Sequence, residues 1–218
     1  MIRELRSAAP LTLVPQRRRQ AAAVVHLVSS ACAPLGGDEL VLDVRVGAGA
    51  TLRLAGVAAT VALPGQHAGP SRTTVRVDLE GALEYLPEPT VVTARADHTA
   101  VLTADLSDRA SLRWREILVL GRSGESPGRC RSGLSVRRAG RPVLRQQLDI
   151  GDRELDASPA GLAGKRVSGT GLLLDGSTPA AAGGPWWSRV PIDGGALTTV
   201  LADDVVSALA VLTTSMPG

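Results

Sequence analysis

Phenylalanine is absent from this 218-residue chain, and Trp114, Trp186, Trp187 and Tyr85 are its only aromatic residues. A core must therefore be assembled from Leu, Val and Ala. A stacking surface for single-stranded nucleic acid, which needs aromatic platforms between basic side chains, has no basis. Cysteine is almost as scarce. Cys32 and Cys130 stand alone, with no Cys-x-x-Cys or Cys/His spacing, so neither a disulfide framework nor a thiolate cage is expected, and a reducing cytoplasm is the simplest compartment. His26, His67 and His98 are far apart with no second ligand at metal spacing, and read as surface or hydrogen-bonded histidines.

An excess of one charge is missing too. Against 21 Asp+Glu stand 24 Lys+Arg, a net charge of +3 that selects no partner. The run Arg17-Arg18-Arg19 after Pro15 reads as a solvated turn. Long apolar runs are lacking: Ala21 to Val25 is cut by His26 and carries no cleavage pattern, so no signal peptide is expected. Ala196 to Leu212 is broken by Asp203 and Asp204, whose burial in hydrocarbon is prohibitive, so no membrane span is expected. Gly169-Thr170-Gly171 lacks the further glycine of a dinucleotide loop, no Walker-type lysine occurs, and Ser123 in Gly121-Arg122-Ser123-Gly124 lacks the helix of a nucleophile elbow.

What is present is two-residue alternation, the mark of half-buried strands. Leu40, Leu42, Val44 and Val46 share one face, as do Val75, Val77 and Leu79, and then Leu112, Trp114, Leu118 and Leu120. Ser107 to Ala110 is a tight turn before the third of these strands. Leu134–Val136 and Pro142–Ile150 flank a glycine-bearing turn and read as a hairpin. Helical periodicity occurs once, where Val205, Ala208, Leu209 and Leu212 follow an Asp203-Asp204 start; a short turn is also expected from Ser158-Pro159. Leu155 to Gly169 is conceivable as a linker but marks no change in composition. With 24 Gly and 14 Pro spread through turns, the expected fold is all-β with one or two short helices in one domain over residues 1–218, and no fixed-period repeat is visible.

Alternation places Glu116 on the apolar side, with Trp114 and Leu118. A carboxylate there is costly unless paired or wet, which leaves a buried ion pair, a backbone-bonded side chain at a bulge, or a group facing an internal water-filled passage.

Ordered blocks along the chain then resemble the UreD (UreH) family of urease accessory proteins. Gly36-Gly37-Asp38-Glu39-Leu40 is similar to its Gly-Gly-Asp-x-Leu entry into a strand, and Val44 to Ala50 to its Val-x-x-Gly-Ala segment. Gly56 to Pro64 looks like the Gln-Ala-Ala-Thr region, departing from it at Val57, Val61 and Ala62. Leu83-Glu84-Tyr85-Leu86-Pro87-Glu88-Pro89 matches the most specific block, and Trp114-Arg115-Glu116-Ile117 with Gly121 to Glu125 resembles the Trp-x-Glu-Ile and Gly-Arg-x-x-x-Gly-Glu patterns.

The resemblance implies a β-helical, solenoid-like protein without catalysis of its own. It would bind UreF, reach UreG through UreF, dock on apo-urease and help pass nickel to the active site, with nickel a transient cargo and no tightly bound cofactor. A conduit for such a cation suits weak oxygen ligands, since a closed His/Cys cage would trap the ion. Thr60, Glu116 and Glu125, followed by Glu84, are the candidate passage residues. Val205, Leu209 and Leu212 suit either core or partner face. The alternatives are a solenoid-type carbohydrate-active enzyme, which needs two convergent carboxylates, and a plain β interaction module.

Overall fold

Alternating residues coil this chain into stacked strands. The computed structural model describes residues 1–17, 22–66 and 69–216, so Arg18, Arg19 and His67 lie outside the described residues. From the N-terminus, β1 (Leu11–Pro15) pairs antiparallel with β2 (Ala23–Ser29). Successive coils follow: β3 (Glu39–Val46), β4 (Thr51–Gly56) and β5 (Thr60–Ala62); then β6 (Ser71–Leu79), β7 (Ala82–Leu86) and β8 (Thr90–Val92); then β9 (Asp97–Leu106) and β10 (Ser111–Leu120). The remaining elements are β11 (Arg129–Arg138), β12 (Arg141–Ile150), α1 (Arg153–Ala157), β13 (Val167–Leu174), β14 (Ala182–Gly184), β15 (Trp187–Ile192), β16 (Gly195–Ala202) and α2 (Val205–Ser215).

Each coil contributes to two facing sheets. The smaller has the order β12-β11-β9-β6-β3, and the larger β1-β2-β4-β7-β10-β13-β16-β15-β14 with β8 also beside β10 and β5 beside β8. Strands β3, β6, β9 and β11 pair in parallel, as do β2, β4, β7 and β10, giving a single β-solenoid-like domain. Register explains why no repeat was visible. Leu40, Thr73, Ala100 and Ser132 stack as equivalent positions, yet their spacing along the chain is uneven because the corners differ in length. Inward residues stack into apolar rows, such as Val44, Val77, Ala104 and Val136, all buried. Each fully buried Val or Leu contributes about 1.5–3 kcal/mol.

The Ser107–Ala110 turn is present, closed by the Ala110 N–H donating to the Ser107 carbonyl at 3.2 Å, but it is a solenoid corner that carries the chain from one sheet to the other. The expected hairpin is β11–β12, turned by Ala139-Gly140 at φ of 48° and 75°. The short helix lies earlier than expected. Asp152 accepts from the Glu154 and Leu155 N–H groups and starts α1 at Arg153, so the chain at Ser158 is already leaving a helix. Leu155 to Gly169 is no linker either, since it carries part of α1, the buried Leu162 and the start of β13.

Helix α2 starts as expected, with Asp204 accepting from the Ser207 N–H at 2.8 Å, while Asp203 pairs with Lys165 at 2.8 Å. It lies on the outer face of the larger sheet, over Ile117, Val167 and Val200. Leu212 is buried there, and Val205 and Leu209 are partly buried, so the packing of α2 on its own sheet accounts for their apolar character. Gly169 and Gly171 lie beneath it: a Cβ on Gly169 would stand 2.7 Å from Val200 Cγ1, and one on Gly171 2.5 Å from Met216 Cε. The Gly-Thr-Gly string is the seat of a helix. No helix among the described residues is long and apolar enough to cross a membrane.

Candidate functional site

The apolar interior is divided in two. One cluster gathers around Leu83, Leu102 and Leu112, the other around Val92, Leu118 and Leu120. Between them the smaller sheet turns inward two rows of small and polar residues, Ser71–His98–Cys130 and Thr73–Ala100–Ser132. Glu116 enters the same layer from β10. Its residual accessibility is to the interior space, because strand alternation aims it between the sheets.

A break in the sheet lies beside it. Strand β10 pairs with β7 through Ser111–Trp114 and with β8 through Leu118–Leu120, but the stretch between meets Pro87-Glu88-Pro89. Prolines have no N–H to donate to a ladder, so the sheet opens there. Arg115 bridges the gap, with Nε donating to the Pro87 carbonyl at 3.4 Å and Nη2 lying 3.6 Å from Glu88. The most specific block of the sequence thus interrupts the wall next to Glu116.

A cavity of about 380 Å³ fills this space, bordered by Thr60, Tyr85, His98, Trp114 and Glu116. Its exposed lining includes Val41 and Val57 of the first coil and Ser29 at the end of β2, and its buried lining leads inward to Glu116. Beyond Glu116 is a second void of about 10 Å³, walled by Glu116, Ser132, Gln146 and Thr170 together with Trp114 and Leu148. Glu116 borders both. In the larger sheet Glu116 is registered with Thr170, Thr170 with Thr199 and Thr199 with Ser188, and the last two hydroxyls are 3.0 Å apart. A row of oxygen-bearing side chains therefore runs from Glu116 across the sheet, at about 4.8 Å per strand.

Burial raises the Glu116 pKa to about 7, partly offset by the Ser132 hydroxyl, which donates to Oε2 at 2.5 Å. Among the described residues Glu116 has no ion-pair partner, and the β10–β13 ladder passes it without a bulge. Of the three readings open in the sequence, the carboxyl facing an internal space is the one the structure contains. The His98 imidazole is pushed down to about 4 by burial, against the pull of Asp97, and its Nδ1 lies 2.9 Å from Ser71 Oγ. Burial raises the Tyr85 hydroxyl pKa, with Glu116 adding to it, and lifts the Cys130 thiol to about 12. At neutral pH the layer holds one titrating group, Glu116, among neutral ones.

Of the residues singled out in the sequence, Thr60 and Glu116 both line this cavity, with β8 standing between their strands. Glu125 and Glu84 are elsewhere. Glu125 sits in the turn after β10, where a two-pronged contact to Arg122, at 3.0 Å on each oxygen, holds its carboxyl down to about 2. Glu84 lies between Arg53 and Arg113, at 3.6 and 3.3 Å, in a register-matched charge row across β4, β7 and β10. Sequence reasoning missed His98, Ser132, Gln146 and Thr170. Alternation around Leu134 and Val136 could have turned Ser132 inward; nothing in the sequence joins it to Glu116. Among the described residues no three His, Cys, Asp or Glu side chains come together to hold a metal ion. What the layer offers a cation is one carboxylate and several neutral oxygens.

Comparison with known proteins bears on this arrangement. A family model described as UreD urease accessory protein matches residues 1–213. The chain is 54% identical over 216 residues to urease accessory protein UreD 1 of Saccharopolyspora erythraea, covering 95% of this chain and 85% of that protein. It is 42% identical over 207 residues to the UreD of Frankia alni, with 84% and 70% covered, and 41% identical over 238 residues to that of Parafrankia sp., with 94% and 79% covered.

Proposed function

The chain belongs to the UreD urease accessory protein family, and from that membership we propose that it serves urease maturation as a non-catalytic scaffold that passes nickel through its interior. In this reading it binds UreF, meets UreG through UreF and docks on apo-urease in the cytoplasm. The observation that carries the reading is Glu116, a lone carboxyl set between two internal spaces beside a proline-made break in the sheet.

The chemistry suits a conduit. A divalent cation entering a low-dielectric interior loses hydration and needs compensating charge. Glu116 is poised near neutrality to release its proton as the cation arrives and to take one back as it leaves. Neutral hydroxyls at Thr60, Thr170, Thr199 and Ser188 replace water oxygens without adding the charge that would trap the ion. Glu84 and Glu125, each held by arginine, serve in this account as surface structure.

Co-expression of the urease subunits, UreF and UreG with and without this chain tests the reading. Urease purified from the strain containing the chain should carry close to its full nickel complement and be active, and urease from the strain without it should be nickel-poor. Equal nickel in the two preparations would exclude a role in delivery.

A further inference from the structure

We propose that the free edge of β3 is a docking site for an extended segment of another protein, one that alternates apolar and basic side chains and joins the smaller sheet as a further strand.

Strand β3 ends the smaller sheet, and among the described residues no strand pairs with its other side. The backbone bonds show which groups are left over. The Arg72 N–H donates to the Asp38 carbonyl at 2.7 Å and the Glu80 N–H to the Val46 carbonyl at 2.8 Å, with unbroken parallel register between. Successive residues of a strand turn their N–H and C=O to opposite sides, so the even-numbered residues from 38 to 46 bond to β6. Glu39, Val41, Asp43 and Arg45 therefore present both groups to the open side, the template on which strand addition works.

The larger sheet runs on past this edge. Strand β4, which follows β3 in the same coil, is continued outward by β2 and β1. Their Leu11, Leu13 and Leu27 are half-buried, with no strand of the smaller sheet above them. Here the cavity of about 380 Å³ has its mouth: Leu40, Val41 and Leu42 line it together with Leu11 and Leu27, so it wraps around the β3 edge. Val41 is 53% exposed there. Strands in a sheet stand about 4.8 Å apart, so one strand added to β3 lies over β2 and sets its alternate side chains among these leucines. A second copy pairing through its own β3 would bring its own overhanging β1 and β2 into the same space. A single extended segment fits where a copy of the chain does not.

Charge sets the other half of the pattern. The outward row of β3 starts with Glu39, Val41 and Asp43, all exposed, and β6 places Arg72 and Arg76 in register with the two carboxylates. Asp43 reaches Arg76 only at 3.4 Å, with both side chains 62% exposed. Opposite charges on neighbouring strands are favourable, so the segment that covers the open side of this acidic row carries lysine or arginine there.

The test uses the purified chain and a fluorescein-labelled eight-residue peptide of alternating lysine and leucine, as long as β3. Its control is the isomer with four lysines followed by four leucines. Fluorescence anisotropy should show the alternating peptide binding at least tenfold more tightly, and hydrogen exchange at the Val41 and Asp43 amides should slow tenfold or more on binding. Val41→Pro removes one outward N–H and no bond to β6, so it should keep a cooperative thermal transition and weaken binding tenfold or more. Asp43→Lys should do the same through charge. Equal binding of the two peptides, binding unchanged by Val41→Pro, or no binding at millimolar peptide overturns the site. Self-association of the chain that Val41→Pro abolishes would give the edge to a second copy and overturn it too. Nickel delivery is read separately, from the metal content of co-expressed urease, and none of these outcomes alters it.

Discussion

Replacing Glu116 with glutamine should stabilise the protein at pH 8 and leave it unchanged below pH 4.5. The folded protein holds this carboxyl at about 7 against 4.5 for the free group, so folding binds a proton that the unfolded chain has released. Stability from that proton is complete below 4.5, declines as pH rises through the interval and is gone above about 7. The full difference is roughly 3 kcal/mol, at about 1.4 kcal/mol per pKa unit. Glutamine keeps an oxygen to accept from Ser132 and cannot ionise. Urea denaturation of wild type and Glu116→Gln at several pH values from 4.5 to 8 measures the gap, which should open steadily across this range; parallel stability curves would mean that Glu116 ionises freely in the folded state.

His98 contributes the opposite slope. Burial takes it from 6.5 down to about 4, so its contribution is complete above 6.5 and is lost as pH falls toward 4. The two windows overlap almost entirely, and between pH 4.5 and 6.5 the stability gained by one group on acidification offsets that lost by the other. A weak pH dependence in the wild type would thus conceal two large terms, and the Glu116→Gln variant separates them.

Gly169→Val should destabilise the protein by about 2 kcal/mol, within the range for overpacked cores. Local propensity argues for the opposite sign, since valine favours a strand over glycine by up to about 1 kcal/mol. Packing outweighs it. The new Cβ would stand 2.7 Å from Val200 Cγ1 and 3.2 Å from Leu212 Cδ1, and Val200 is a β-branched residue fixed in the neighbouring strand. The sheet cannot yield, so α2 must lift, and burial at Leu212 and Ala208 is lost with it. Gly171→Ala provides the contrast: its closest clash is with the end of the flexible Met216, which can turn aside, and Leu212 Cδ2 at 3.1 Å needs to give only slightly, so it should be milder. Thermal unfolding of the two variants followed by circular dichroism checks both, and a Gly169→Val protein as stable as wild type would show that α2 is not held down at this seat.

Much of the fold was legible because alternation is a local property. It placed Glu116 inward beside Trp114 and Leu118, and the cap at Asp204 and the Ala139-Gly140 turn were written in adjacent residues. The parallel pairing of β3, β6, β9 and β11 was not legible from periodicity. Partners in a solenoid are separated by whole coils, and corners of unequal length remove the repeat that would announce them. The resemblance, with its ordered blocks, supplied the solenoid.

The site was legible only in its charged member. A carboxylate on an apolar face is anomalous in sequence, whereas Ser132, Gln146 and Thr170 are unremarkable residues on three other strands that only the coiling brings to Glu116. His98 was read as a lone histidine, and in pairing with Ser71 it is one; its place on the cavity wall depends on register across β6 and β9. Pro87 and Pro89 lie between β7 and β8, and their consequence is felt in the neighbouring strand, where the wall opens beside Glu116.

Nickel stoichiometry of urease matured with Glu116→Leu tests the central claim most directly. Urease would be co-expressed with UreF, UreG and either wild-type or variant chain, and its nickel measured per active site alongside recovery of the chain with UreF. The account predicts that the variant is recovered folded and bound to UreF, and that urease nickel and activity fall several-fold. A full nickel complement with the leucine variant would contradict it.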